Sequence, residues 1–118
     1  MMTKHVLVID DHRDIRIILQ TLLEKEGYAV TLAQDGLEAL EQLETTTPSI
    51  ILLDLGLPRM DGYAFLDALE QRNPQASIPV IVLTADKLAV EKLAQRNVHV
   101  ILKPFTFVPL LAAMLQYV

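Results

Sequence analysis

The chain of 118 residues contains no cysteine, which excludes disulfide frameworks, thiol nucleophiles and thiolate metal centres. Glycine is scarce. The four glycines, Gly27, Gly36, Gly56 and Gly62, build neither G-x-G-x-x-G nor a P-loop, so the common nucleotide-binding fingerprints are missing. Ser49 and Ser77 lie in no nucleophile-elbow context. Positive charge is in deficit: ten Lys and Arg face fifteen Asp and Glu, for a formal charge of −5. Direct nucleic-acid binding wants the opposite balance. The longest apolar run, Phe107–Leu115, has nine residues and contains Pro109, against roughly 20 for a membrane span. Val6–Ile9 offers only four apolar residues before Asp10 and Asp11, too few for a signal-peptide core. No linker, repeat or low-complexity segment appears. The expectation is one soluble, cytoplasmic domain over residues 1–118, contacting neither membrane nor nucleic acid.

What is present is apolar, 52% of the chain, enough for a core without staples. Short runs with strand character occupy His5–Ile9, Tyr28–Ala33, Ser49–Leu53, Pro79–Leu83 and Val98–Leu102. Between them the spacing is helical. Ile15, Ile18, Leu19, Leu22 and Leu23 form a stripe predicted to be buried, which Gly27 stops with a left-handed C-cap. Asp35-Gly36 turns the chain into a helix carrying Leu37, Leu40 and Leu43. The turn-rich loop from Gly56 to Gly62 precedes a helix with Phe65, Leu66 and Leu69, closed by Asn73-Pro74. A fourth helix, about Asp86 to Arg96, is predicted to bury Leu88, Val90 and Leu93. Thr106 caps the fifth, where Pro109 falls in the first turn. Five strands alternating with five helices predict a parallel sheet in a three-layer α/β/α sandwich.

In such sheets ligands gather at the carboxyl ends of the strands. Asp10, Asp11, Asp54, Thr84 and Lys103 each follow a strand, so the fold should collect them in one crevice. Like charges about 5 Å apart repel by roughly 3 kcal/mol at an effective dielectric near 20. Three carboxylates beside one lysine therefore call for a proton or a divalent cation. Magnesium suits this set, since two or three carboxylates and a backbone carbonyl satisfy it and it often bridges to phosphate. Asp54 can then act as the nucleophile, because carboxylates form covalent phosphoryl intermediates. Magnesium, Lys103 and the Thr84 hydroxyl would each take one equatorial oxygen, and Ala85 is small enough to leave the group room.

Val8-Ile9-Asp10-Asp11, Leu53-Asp54-Leu55, Pro58-Arg59-Met60-Asp61-Gly62, Leu83-Thr84-Ala85 and Lys103-Pro104-Phe105, in this order, resemble the receiver domain of two-component response regulators. The resemblance covers essentially the whole chain. It implies the flavodoxin-like strand order 2-1-3-4-5. It also implies a phosphoacceptor switch, with Asp54 loaded from a histidine kinase or a histidine phosphotransfer protein. Asp11, Asp54 and the Gly56 carbonyl would hold magnesium directly and Asp10 through water. Thr84 would be the switch hydroxyl, Lys103 the phosphate-pairing base and Lys103–Pro104 a cis bond. Such a domain assists its own phosphorylation and dephosphorylation but is not an enzyme acting on a separate metabolite.

Two positions depart from the family pattern. Val100 stands where an inward-turning Tyr or Phe is common, which routes the signal through the loop after Thr84 and the fourth helix instead. Gly56, with Asp86, belongs to the pair that tunes hydrolysis in the family. Ile15 and Arg16, near the end of the first helix where family kinases dock, are candidate partner contacts. So are Phe105, Val108 and Tyr117 around the uncharged final helix, for an effector or a second copy. On that helix Leu110, Leu111, Met114 and Leu115 are predicted to face the sheet, with Val108, Ala112 and Tyr117 outside. His12 adjoins the acidic pair, but His5, His12 and His99 lack metal-ligand spacing. Two other functions compete. A receiver-like interaction module working without phosphate is favoured by Val100. A haloacid-type aspartyl phosphatase would need a second Asp where Gly56 stands. The sequence fits both a stand-alone receiver and one belonging to a longer regulator or hybrid kinase.

Overall fold

Five runs of branched apolar side chains pair edge to edge in a computed structural model that describes residues 4–57, 59–72 and 78–117. Strands β1 (His5–Ile9), β2 (Ala29–Ala33), β3 (Ile50–Asp54), β4 (Val80–Thr84) and β5 (Val98–Leu102) form one sheet in the order β2-β1-β3-β4-β5. Every pairing is parallel. Helices α1 (Arg13–Lys25), α2 (Gly36–Leu43), α3 (Gly62–Arg72), α4 (Ala89–Lys92) and α5 (Phe107–Leu115) connect and cover it. This is the flavodoxin-like α/β/α architecture the sequence predicts.

The central strands are apolar on both faces because both faces are covered. Leu7, Ile9, Ile51, Leu53 and Val82 pack with Ala39, Phe65, Leu66, Ala89 and Leu93, on the side of α2, α3 and α4. The alternate residues Val6, Val8, Ile50, Leu52, Ile81 and Leu83 pack with Leu19, Leu23, Leu110, Ala113 and Met114 of α1 and α5. Each large side chain so enclosed contributes about 1.5–3 kcal/mol. Together the two cores hold the strand ends that carry the site.

Several local expectations are corrected. Ser49 and Pro79 precede their strands, so Asp54 and Thr84 are the last strand residues rather than the first beyond them. Tyr28 lies before β2, where its amide joins that of Gly27 (φ 92°) in closing α1 onto the carbonyls of Leu23 and Glu24. The stripe of α1 is only partly enclosed: Leu19 and Leu23 are buried, whereas Ile18 is 53% exposed and Ile15 is also exposed. Helix α4 has four residues instead of eleven, flanked by tighter three-residue turns at Asp86–Ala89 and Glu91–Ala94. Only Ala89 and Leu93, four apart, reach the core, while Leu88 and Val90 face outward. On α5, Leu110, Ala113 and Met114 are buried but Leu115 is exposed; Tyr117, expected outside, packs on the α1/α5 core. Thr106 is the N-cap of α5 in backbone geometry alone, without a side-chain capping bond. Pro58, Asn73 and Pro74 lie outside the described residues.

Candidate functional site

Register decides where the polar residues land. Ile9 is level with Ala33 and Leu53, Asp54 with Leu83, and Thr84 with Leu102. Asp10, Asp54, Thr84 and Lys103 therefore reach one edge of the sheet within about a residue of each other. Backbone bonds lock the edge: the Asp10 amide donates to the Ala33 carbonyl at 3.1 Å and the Lys103 amide to the Thr84 carbonyl at 2.7 Å. The Lys103–Pro104 peptide bond is cis.

Carboxylate oxygens of Asp10, Asp11 and Asp54, with a ring nitrogen of His12, all lie within 4.8 Å of one another. The Lys103 ammonium approaches Asp54 Oδ1 at 3.8 Å and Asp10 Oδ2 at 3.9 Å. One lysine among three carboxylates leaves two negative charges over, the charge of one divalent cation. Burial raises the pKa of Asp54; the Gly56 amide and the Lys103 charge pull it down, Asp10 and Asp11 push it up, and the net result is upward. Asp10 is 1% exposed, and its Oδ2 has no hydrogen-bond partner among the described residues. A buried carboxylate oxygen without a donor is costly, and a cation relieves that cost.

Of the remaining predicted residues some border this cluster and others lie away from it. Gly56 donates its amide to Asp54 Oδ1 at 3.2 Å. A Cβ built on it would meet nothing nearer than that carboxylate, at 4.0 Å. The Thr84 hydroxyl accepts the Asp86 amide at 3.0 Å, and Asp86 Oδ1 accepts the Leu88 amide at 2.9 Å. Ala85, Asp10 and Lys103 help line an apolar groove of about 490 Å³ shared with residues of α1 and the start of α5. Ile15 and Phe105 line that groove. Val108, 74% exposed, and Tyr117 are not among its lining residues. Arg16 turns inward, donating from Nη1 to the Asp10 carbonyl at 2.8 Å, so it braces the acidic turn. Val100 is half-buried on the α2–α4 side of the sheet.

Sequence reasoning missed one support of the site, because Arg59 reads as a solvated loop residue. It adopts φ 63° and holds the Asp35 carboxylate through Nε at 2.8 Å and a terminal nitrogen at 2.6 Å. Asp35, itself buried, also caps α2 by accepting the Glu38 amide at 2.8 Å. Burial works against ionising Asp35, yet these bonds and the Arg59 charge hold its pKa below the usual carboxylate value. The loop after Asp54 is thereby strapped to the start of α2. An exposed arginine five residues beyond a strand-end aspartate gives no periodic signal that could have revealed this. Asp61 shapes the same loop, accepting the Ala64 amide at 2.8 Å.

Comparison with known proteins gives the family. The family model of the response regulator receiver domain matches residues 6–115. The chain is 43% identical over 84 residues to the alkaline phosphatase synthesis transcriptional regulatory protein PhoP of Bacillus subtilis, covering 71% of this chain and 34% of PhoP. It is 37% identical over 116 residues to the response regulator MprA of a Mycobacterium species, covering 96% of this chain and 50% of MprA. It thus spans a third to a half of these relatives. Among solved structures, the chemotaxis response regulator CheY4 of Vibrio cholerae superposes with a TM-score of 0.88 at 28% identity, covering 99% of this chain and 100% of CheY4. TrrA of Thermotoga maritima, in complex with Mg(2+)-BeF, gives 0.87 at 26% identity, covering 98% and 100%. By the extent of the family match and by its fold, this chain belongs to the response regulator receiver domains of two-component systems.

Proposed function

We propose that Asp54 is the phosphoacceptor of this receiver, loaded from the phosphohistidine of a histidine kinase or histidine phosphotransfer protein in a magnesium-dependent step. The observation carrying this reading is a buried carboxylate at the sheet edge, 3.8 Å from an ammonium and clustered with two further carboxylates. The orphaned Asp10 oxygen and the two uncompensated charges fit a hard divalent ion. Asp11, Asp54 and the Gly56 carbonyl would hold it, with Asp10 through water. The ion would supply charge stabilisation on the phosphoryl oxygens.

In the transfer, a carboxylate oxygen of Asp54 bonds to phosphorus. The bond from phosphorus to the donor imidazole breaks, and its electron pair returns to that nitrogen. Lys103 pairs with one phosphoryl oxygen. Thr84 can donate its hydroxyl to another, and moving toward the phosphoryl group to do so would draw its oxygen away from the Asp86 amide that it now accepts. That exchange is the switch. Asp86 also holds Leu88 and stands 3.6 Å from Lys92, so releasing its amide loosens the turn that leads into α4. With Val100 offering no aromatic ring, α4 and α5 become the surface whose contact with an effector or a second copy changes. The same chemistry makes the protein a phosphoacceptor that assists its own dephosphorylation, in keeping with a cytoplasmic location.

The test is incorporation of phosphate from acetyl phosphate. It should require magnesium and vanish in Asp54→Asn. Equal labelling of the two proteins, or labelling indifferent to magnesium, refutes the proposal; no labelling of the wild type refutes it in favour of an interaction module working without phosphate.

A further inference from the structure

We propose that His12 supplies a nitrogen ligand to the acidic pocket, giving it a selective gain in affinity for imidazole-preferring ions such as Zn2+ or Ni2+ over magnesium. The inference rests on the reading of that pocket as a divalent-cation site. It concerns the ring of His12, which stands at the N-cap of α1 with no capping bond to the helix. The ring turns toward the acidic residues, with Nδ1 3.1 Å from Asp11 Oδ1 and 3.2 Å from Asp10 Oδ1.

Ligands held about 2.0–2.2 Å from a metal stand roughly 3 Å apart when they occupy neighbouring coordination positions. The spacing to Asp11 Oδ1, the direct ligand beside it, matches that edge. Nδ1 is at the same time within hydrogen-bond reach of Asp10 Oδ1. Asp10 Oδ1 already accepts the His12 backbone amide at 2.8 Å. A single proton on Nδ1 would be divided between two carboxylates, and without that proton the nitrogen lone pair would face two acceptors. A cation that takes the place of the Nδ1 proton turns this inward nitrogen into a ligand and relieves the lone pair that would otherwise face two acceptors. The orphaned Oδ2 of Asp10, buried in the same cluster, independently asks for one.

Magnesium takes oxygen ligands and gains little from a ring nitrogen, whereas imidazole suits zinc and nickel. The ring should therefore shift the selectivity of the pocket. His12 is largely exposed on its outer side, so truncating it should leave the fold intact, which a urea midpoint verifies.

The experiment titrates the intact chain, His12→Ala and Asp54→Asn with Zn2+ and with Mg2+ by calorimetry. It also follows the imidazole nitrogen resonances of the wild type during the zinc titration. The expected result is a loss of about tenfold or more in zinc affinity for His12→Ala, since even partners outside the ligand shell are worth that much. Magnesium affinity should change less than about twofold. Zinc should shift the Nδ1 resonance of His12 and spare those of His5 and His99. Zinc binding that needs Asp54 but leaves His12 unshifted, with equal affinity in His12→Ala, overturns this inference and leaves the cation pocket standing. Binding of both ions indifferent to Asp54→Asn overturns both.

Discussion

Alanine substitution at the four glycines should reveal how tightly the loop after Asp54 is packed. A Cβ built on Gly62 would lie 2.7 Å from the Leu55 backbone Cα and 2.6 Å from its Cδ2. No side-chain rotation relieves a contact with backbone, and the Gly62 amide already donates to the Leu55 carbonyl at 3.0 Å. Overpacking of this kind costs about 1–3 kcal/mol, and Gly62→Ala belongs at the upper end. A loss of about 3 kcal/mol lowers the melting temperature of a domain this size by roughly 12 °C. At Gly27, which needs its positive φ, alanine should cost about 1 kcal/mol. At Gly36 the crowding group is the Met60 side chain at 3.0 Å; a flexible methionine can yield, so the cost should stay below about 1 kcal/mol. Gly56→Ala should fall within about 0.5 kcal/mol of the wild type. Urea unfolding followed by circular dichroism gives the ranking directly. Because Leu55 adjoins Asp54, Gly62→Ala should also slow acetyl phosphate incorporation. A midpoint for Gly62→Ala equal to that of Gly56→Ala would refute the close approach on which the ranking rests.

Further perturbations probe the charges. Asp54→Asn should raise the urea midpoint at pH 7. The folded-state pKa of Asp54 lies above its unfolded value, so its ionisation opposes folding at neutral pH; the gap should close as pH falls through that raised pKa toward 3.8. Asp35 behaves in the opposite sense: its lowered pKa means stability present above the unfolded value near 3.8 and lost as pH falls through the folded one. Asp35→Ala, which removes a helix cap and the Arg59 pair, should cost about 1–2 kcal/mol at pH 7 and progressively less as pH falls below 3.8 by the same unfolding assay. Magnesium at one hundred times its dissociation constant should stabilise the wild type by about 2.7 kcal/mol in thermal denaturation and Asp54→Asn far less. Thr84→Ala should lose about 0.5–1.5 kcal/mol with the Asp86 amide bond, read from the urea midpoint.

The sheet was legible because its strands are continuous apolar runs, and five of them separated by helical spacing leave few alternative folds. The carboxyl-edge cluster was equally plain, since each polar residue ends such a run and a parallel register brings those ends level. Surface exposure was harder to read. Ile15 and Ile18 carry the spacing of a buried stripe but border a groove that neighbouring elements do not fill. In α4 the enclosing contacts come from Ala89 and Leu93, and a small alanine weighs less in an apolar count than Leu88 or Val90, which face outward. Tyr117 packs inward because its position follows the closing turn of α5 rather than a continued helical period. The Arg59–Asp35 strap depends on a left-handed backbone that arginine seldom adopts, and no pattern of side chains encodes it.

The brevity of α4 also sets a timescale. An isolated helix needs a dozen or more residues to hold itself together in water, and this one persists on two core anchors, Ala89 and Leu93. Amide protons between residues 86 and 96 should accordingly exchange with solvent orders of magnitude faster than those of β1, β3 and β4, whose opening requires global unfolding. A segment so close in free energy to its own open form is poised for redistribution. Under the proposed function, the difference in affinity that a phosphoryl group on Asp54 would have to supply to shift its populations is correspondingly modest.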